Sequence, residues 1–176
     1  VLARTGKKVV MIDADMRSPS AHKLLDLPND GGFSSVLAGH GDPFDLIQET
    51  SFENLYLLSA GRIPPSAAEL LSGDQARNLF STLAEKFDHV VVDAPPLLGL
   101  ADSPLLAHAV DGVVFVIEAR GVASRAINTS LDRLRNNNAP LVGAIFTKFE
   151  GNGIEGYGYG YGYGYGYGRD RGQDED

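Results

Sequence analysis

Acidic side chains follow two short apolar runs of this sequence. Asp13 and Asp15 come after Val9–Ile12, and Asp93 comes after Val90–Val92. The carboxyl ends of parallel strands meet at one edge of an open α/β sheet, where ligands bind. Carboxylates at such an edge can hold a hydrated Mg²⁺ or accept a proton from a nucleophile. The sequence therefore predicts that these three acids converge on one site for Mg²⁺ and a nucleotide.

The second acidic run, His89–Pro96, has the form of a Walker B segment, in which an Asp orients Mg²⁺. Each run alone also fits an α/β strand that simply ends in Asp, with Arg17 as an ion-pair partner of the first run. Two such ends in one sheet favour a shared divalent cation. The phosphate-binding loop G-x-x-x-x-G-K-[ST], which should accompany these motifs, does not occur in the 176 residues.

Hydrophobic periodicity indicates the elements that must position these acids. Continuous apolar runs predict five buried strands, at Val9–Ile12, Leu55–Leu58, Val90–Val92, Val113–Ile117 and Val142–Phe146. Helical spacing groups two further sets of apolar residues, first Ala76, Leu79, Phe80, Leu83 and Phe87, and then Ile127, Leu131 and Leu134. The alternation predicts an α/β fold, a parallel sheet with helices on both faces.

Local signals predict where several helices begin and end. Ser66 and Glu69 form a capping-box pattern, and Gly6 is typical of the residue that stops a helix. Asp102 or Ser103 is expected to cap a helix that has a proline in its first turn. The charged residues around the second apolar helix face are predicted to point outward; they are Arg125, Asp132, Arg133 and Arg135.

The composition excludes several classes of protein. The chain carries 15 Lys and Arg against 23 Asp and Glu, a net charge of −8, so a nucleic-acid partner is not expected. It has no cysteine, which excludes a disulfide scaffold, a thiolate zinc site and a cysteine nucleophile. No apolar run approaches the roughly 20 residues of a membrane span. The expectation is a cytoplasmic globular domain.

The chain divides into two kinds of sequence near residue 150. Six of its seven tyrosines alternate with glycine close to the end: Tyr157, Tyr159, Tyr161, Tyr163, Tyr165 and Tyr167. Glycine at every second position costs backbone entropy and leaves one face of a strand bare, so residues 151–176 are predicted to be a flexible tail. Residues 1–150 are predicted to form one domain. Because such a domain does not normally open on a helix end, a strand and a loop are expected upstream of Val1.

Taken together, these motifs resemble the bacterial tyrosine kinases (BY-kinases). The resemblance is carried, in chain order, by Ile12–Pro19, Leu27–Asn29, Gly32–Gly39, Ser59–Gly61, Pro64–Pro65, Glu69–Leu71 and Phe87–Pro96. These kinases are the cytoplasmic ATPase modules of polysaccharide co-polymerases in capsule and exopolysaccharide export. The resemblance implies a partial P-loop NTPase fold similar to that of the partition ATPases, with the Walker A segment absent from these 176 residues.

The resemblance also implies a site and a reaction. Asp13, Asp15 and Arg17 match the family's modified second Walker motif and are implied to be catalytic, with Asp13 accepting the tyrosine hydroxyl proton. Asp93 matches the Walker B acid, so Asp15 and Asp93 are the implied Mg²⁺ ligands beside ATP. Thr147 stands where relatives tend to carry an Asn that recognises adenine. The six tail tyrosines are implied to be phosphorylated in trans within a ring of identical chains.

The family acts with a transmembrane activator, fused or separate, which would hold the kinase at the inner face of the cell membrane and link it to exopolysaccharide or capsule synthesis. Without a Walker A loop, the 176 residues alone are expected to be inactive. Two other interpretations stay open. One is a partition-type ATPase switch that is not a kinase. The other is an inert structural protein with an adhesive Gly-Tyr tail.

Overall fold

The computed structural model describes residues 1–119 and 122–148. The strands in these ranges are β1 (Val9–Asp13), β2 (Gln48–Glu49), β3 (Leu55–Leu58), β4 (His89–Asp93), β5 (Val113–Glu118) and β6 (Leu141–Thr147). The α-helices are α1 (Ala21–Leu24), α2 (Phe33–Leu37), α3 (Pro43–Leu46), α4 (Ala67–Leu71), α5 (Gln75–Ala84), α6 (Asp102–Ala107) and α7 (Ser124–Asn136). All five predicted strands are therefore present. Among the described residues, no helix has both the length and the apolar character needed to cross a membrane.

Four strands form one sheet in the order β2-β3-β1-β4, in which β1 is parallel to both β3 and β4. The short strand β2 runs antiparallel to β3. Strand β1 occupies the centre, and its Val10 and Ile12 side chains are fully buried. The predicted parallel α/β architecture is confirmed. The antiparallel strand was not predicted, because the two polar residues of β2 carry no hydrophobic period.

Helix α5 covers this sheet with the face that its periodicity predicted. Ala76, Leu79, Phe80 and Leu83 are its buried residues. The ring of Phe80 stacks on that of Phe33 in α2, with 6.1 Å between the centroids. At the start of α4, the Glu69 N–H donates to the Ser66 hydroxyl over 3.3 Å, which confirms the predicted N-cap. Gly6 ends a 3₁₀ turn in the left-handed conformation (φ 79°), as its sequence position indicated.

The remaining two strands form a separate parallel pair, β5 with β6. No described strand joins β4 to β5, so each of these strands has one strand neighbour in the described residues. Apolar side chains of both strands are left exposed: Val91 is 40% exposed, Val114 50% and Val116 59%. The periodicity predicted the strands but not this division, because strand pairing is set by contacts between distant residues.

Two predictions about side chains were wrong. Neither Asp102 nor Ser103 caps α6, whose N-cap residue is Ala101 and has no side-chain capping bond. Both side chains are instead buried and bind other segments, Ser103 by donating its hydroxyl to the Pro95 carbonyl. Arg133 does not point into solvent: it is half-buried and donates to a main-chain carbonyl of the loop after β4, that of Leu97, over 2.8 Å.

A close approach of two backbones fixes the start of α2 against the chain after β3. A Cβ atom on Gly32 would lie 2.0 Å from the Ser59 carbonyl oxygen, which is main chain and cannot move aside cheaply. Gly32→Ala should therefore destabilise the fold by about 1–3 kcal/mol, seen as a lower urea midpoint. Gly143→Ala is the matched control, because nothing lies within 4 Å of its added Cβ. Equal midpoints for the two variants would contradict this packing.

Candidate active site

The lateral pairing of β1 with β4 brings two of the predicted acids together. Asp13 and Asp93 are register partners at the carboxyl ends of these parallel strands. The pairing extends one residue further, because the Ala14 N–H donates to the Asp93 carbonyl over 2.8 Å. The two acidic strand ends thus lie side by side at one edge of the sheet.

The Asp13 carboxylate organises the turn that follows β1. Its Oδ2 accepts hydrogen bonds from the Ser20 and Ala21 N–H groups, each at 3.0 Å, and its Oδ1 accepts one from the Asp15 N–H at 3.2 Å. The side chain is buried, with the residue only 1% exposed. Strand β1 ends at Asp13, so the chain does not continue extended to Asp15. Asp13 therefore fixes both the turn and the start of α1.

Asp15 occupies the turn itself and is half-buried. Its Oδ1 accepts the N–H groups of Arg17 at 3.1 Å and Ser18 at 2.9 Å. Within the described ranges, Oδ2 accepts no hydrogen bond from the protein. One oxygen of Asp15 is therefore held by main chain, while the other remains available to a ligand.

The pKa of Asp93 depends on its burial and on the two neighbouring acids. Partial burial raises the pKa of its carboxyl, and the charges of Asp13 and Asp15 raise this pKa further. The ionised carboxylates therefore repel one another across the strand ends. A cation bound there would relieve this repulsion.

Arg17 does not supply that cation, because its guanidinium group is bound elsewhere. Its Nε and Nη2 donate to the two oxygens of Asp102, at 2.7 and 3.1 Å, and this two-pronged bond raises the pKa of Arg17. The Asp102 side chain is 1% exposed. Sequence reasoning missed this carboxylate, since its position before a helical proline was interpreted as a cap. The pair ties the turn after β1 to α6.

The other predicted site residues are Thr147, which lies on a different sheet from these acids, and the six tail tyrosines. Thr147 ends β6, in the separate strand pair, and its hydroxyl donates to the Ile117 carbonyl over 3.5 Å. The next residue, Lys148, forms an ion pair with Glu118 at 2.9 Å. The structure thus gives Thr147 no contact with the acids. The six tail tyrosines lie outside the described residues.

The acids are suited to a Mg²⁺ ion that keeps most of its coordinated water molecules. Among residues 1–119 and 122–148, no three His, Cys, Asp or Glu side chains are grouped to hold a metal ion directly. Mg²⁺ in nucleotide sites is typically held by one or two carboxylates together with waters and substrate phosphates. Asp15, whose Oδ2 accepts no hydrogen bond within the described ranges, and Asp93, at the neighbouring strand end, are two carboxylates that match that requirement.

The raised pKa of Asp93 predicts a stability change with a definite pH dependence. Because the pKa is higher in the folded than in the unfolded chain, ionised Asp93 destabilises the fold at pH values above its folded pKa. Asp93→Asn should therefore stabilise the metal-free protein at pH 7, by up to about 1 kcal/mol for a solvent-screened group. The gain should vanish below pH 3.8, its ordinary value, where both states are protonated.

Urea unfolding in EDTA at pH 3 and pH 7 measures this effect, and Asp132→Asn, a change in an exposed ion pair of α7, is the control. A gain of the same size at both pH values, or a loss at pH 7, would contradict the raised pKa of Asp93.

Comparison with known proteins identifies the family of the chain. The AAA domain family matches residues 1–139. The tyrosine-protein kinase YwqD of Bacillus subtilis is 35% identical over 145 residues, which cover 82% of this chain and 61% of YwqD. The tyrosine-protein kinase Wzc of Salmonella typhi is 31% identical, again over 82% of this chain but over 20% of Wzc. The chain thus spans less than two-thirds of each of these relatives.

A solved structure shares the architecture. The kinase domain of the Escherichia coli tyrosine kinase ETK superposes with a TM-score of 0.82 at 29% identity, over 91% of this chain and 63% of that domain. The strands described above therefore form a P-loop fold. The chain belongs to the AAA domain family and is homologous to the bacterial tyrosine kinases, as its motifs predicted.

Proposed function

We propose that this chain is the catalytic part of an ATP-dependent protein-tyrosine kinase that regulates capsule or exopolysaccharide synthesis. The observation that carries the proposal is the pairing of Asp13 with Asp93 at adjacent strand ends, with Asp15 in the turn beside them. Its family and P-loop fold imply a nucleotide ligand with Mg²⁺. Phosphoryl transfer needs mainly positioning and charge neutralisation, which such an arrangement of acids provides.

Each acid has a separate role in this proposal. Asp15 and Asp93 would hold Mg²⁺, which neutralises phosphate charge when bound. Asp13 would accept the tyrosine hydroxyl proton. Its three N–H donors fix the carboxylate and leave one of its roughly four acceptor sites, on Oδ1. The hydroxyl must reach a side chain that is almost fully buried, so substitution of Asp13 tests this role directly.

Arg17 acts in a different way from the one its motif suggested. Because both prongs of its guanidinium bind Asp102, we assign it to positioning rather than to contact with substrate. It would hold the turn that carries Asp15 against α6. Thr147, at the end of β6, remains the proposed contact for the adenine base.

Within the described residues, β4 and β5 each have an open edge, where a phosphate cradle could join the fold. Each edge could pair with one further parallel strand, next to the exposed Val91, Val114 and Val116. A strand inserted there would end beside Asp93. We propose that a Walker A strand and its loop, supplied from outside these 176 residues, complete a kinase domain formed with residues 1–150.

We further propose that the tail, residues 151–176, is the substrate, phosphorylated in trans within a ring of identical chains. A transmembrane co-polymerase or activator, fused or separate, would hold the ring at the inner face of the cell membrane. Glycine on both sides of each tyrosine removes steric hindrance, so any of the six rings could enter a neighbouring site.

The acids can be tested in a chain that carries a Walker A segment upstream of Val1. Asp13→Asn, Asp15→Asn and Asp93→Asn should each reduce tyrosine phosphorylation at least 100-fold, because each removes a charge needed in the transition state. Phosphate incorporation from labelled ATP measures this loss. Asp132→Asn is the control and should retain the full rate. Rates close to wild type in all three variants would show that the site lies elsewhere.

The tail can be tested by substitution of all its tyrosines. Tyr→Phe at the six positions should abolish phosphotyrosine while ATP hydrolysis continues, because the acceptors are lost and the site is unchanged. Mass spectrometry of the phosphorylated chain measures this. Tyr56→Phe is the matched control, since this ring is packed between Lys8 and Phe87 and is not expected to be an acceptor. Phosphate found mainly on Tyr56 would refute the assignment.

A further inference from the structure

An open cavity of about 430 Å³ lies beside the turn that carries Asp15, and its chemistry is opposite to that of the acids. Its walls include Arg17, His22, Lys23 and Arg62. None of the described residues that line it is Asp or Glu, although the whole chain has 23 acidic residues against 15 basic ones. We refer to it as the basic cavity.

One wall of the basic cavity is main chain that the side chains of Asn29 and Ser34 hold in place. The Asn29 side chain makes two hydrogen bonds to Gly61, donating to its carbonyl at 3.0 Å and accepting from its N–H at 2.7 Å. Gly61 has a φ of 77°, and a Cβ there would lie 2.9 Å from the Gly32 nitrogen. The next carbonyl, that of Arg62, accepts the Ser34 hydroxyl at 2.7 Å. The backbone that carries Arg62 is therefore fixed before any ligand arrives.

The cations of this cavity retain capacity for an anion. Lys23 and Arg62 are exposed and form no ion pair within the described ranges. Arg17 lines the cavity too, but its guanidinium is already bound to Asp102, so Lys23 and Arg62 supply the free positive charge. His22 has a buried Nδ1 without a hydrogen-bond partner in the described part of the chain, a polar atom of the kind that a ligand or water commonly satisfies.

We propose that the basic cavity is a subsite for the side chain of phosphotyrosine, presented by a tail that has already been phosphorylated, and this rests on the proposed function. A tyrosine phosphate carries about −1.5 to −2 charges, so Asp15 and Asp93 repel it whenever they hold no cation. Arg17 and Ser18, which bind Asp15 through their N–H groups, also line the cavity. The new phosphate thus moves from an acidic site to a basic one across a single turn.

The tail sequence suits this arrangement. Its tyrosines repeat every two residues, which is about 7 Å in an extended chain. A phosphotyrosine held in the basic cavity would keep the neighbouring tyrosines close to the acids. The subsite would therefore favour repeated phosphorylation of one tail over single phosphorylation of many.

Binding can be measured without ATP, on the 176-residue chain. The probe is a fluorescent peptide, Gly-Tyr-Gly-Tyr-Gly-Tyr-Gly with its central tyrosine phosphorylated, and its anisotropy reports binding. We expect this peptide to bind at least 10-fold more tightly than its unphosphorylated form. Lys23→Ala and Arg62→Ala should each weaken binding at least 5-fold. Lys86→Ala, which removes the same charge outside the cavity, should leave it unchanged, and thermal melts check that all variants are folded.

Three results would overturn the subsite: equal binding of the two peptides, equal losses in Lys86→Ala and the cavity variants, or equally tight binding of a peptide of residues 169–176, whose anions are carboxylates. If one of these results is found with a chain that is an active kinase, the subsite is refuted and the proposed function is not. Conversely, the chain could bind the phosphopeptide and still show no kinase activity when its Walker A segment is supplied. That result would refute the proposed function and support the subsite.

Discussion

The acidic edge of the sheet depends on the pairing of β1 with β4, which holds Asp13 and Asp93 side by side. Like charges at adjacent strand ends are unfavourable, and after partial burial the charges of Asp13 and Asp15 are the further causes that raise the pKa of Asp93. The rest of the sheet makes the arrangement tolerable. Strand β1 is buried at the centre of the sheet, and its apolar side chains anchor the ladder that the two acids terminate. A bound cation would be attracted by the same carboxylates and would relieve their mutual repulsion.

The turn after β1 separates charges of opposite sign. Asp13 and Asp15 accept its main-chain N–H groups, while Arg17 leaves the turn in another direction to bind Asp102. The basic cavity begins where the acids end. A phosphate ester would therefore bind beside the acids only together with a cation, whereas the basic cavity, a few residues away, would attract it without one. Under the proposal, this contrast lets the chain retain the phosphotyrosine that phosphoryl transfer produces.

The sequence predicted the features that depend on local pattern. Continuous apolar runs marked five strands, and an Asp after two of them marked the acidic edge. Asp102 and Arg133 were misassigned, because each acts on a residue more than 30 positions away and no periodicity records such a contact. The division between β4 and β5 was missed for the same reason. Local sequence thus indicates which residues are present at the edge, while tertiary contacts decide their partners.

The most direct test of the central claim separates a kinase from a partition-type ATPase of the same fold. The chain, with a Walker A segment upstream of Val1, is incubated with Mg²⁺ and γ-labelled ATP, and the protein is then hydrolysed for phosphoamino-acid analysis. The account predicts that the label is recovered as phosphotyrosine. Release of all the label as inorganic phosphate by an active ATPase, with none on tyrosine, would contradict it.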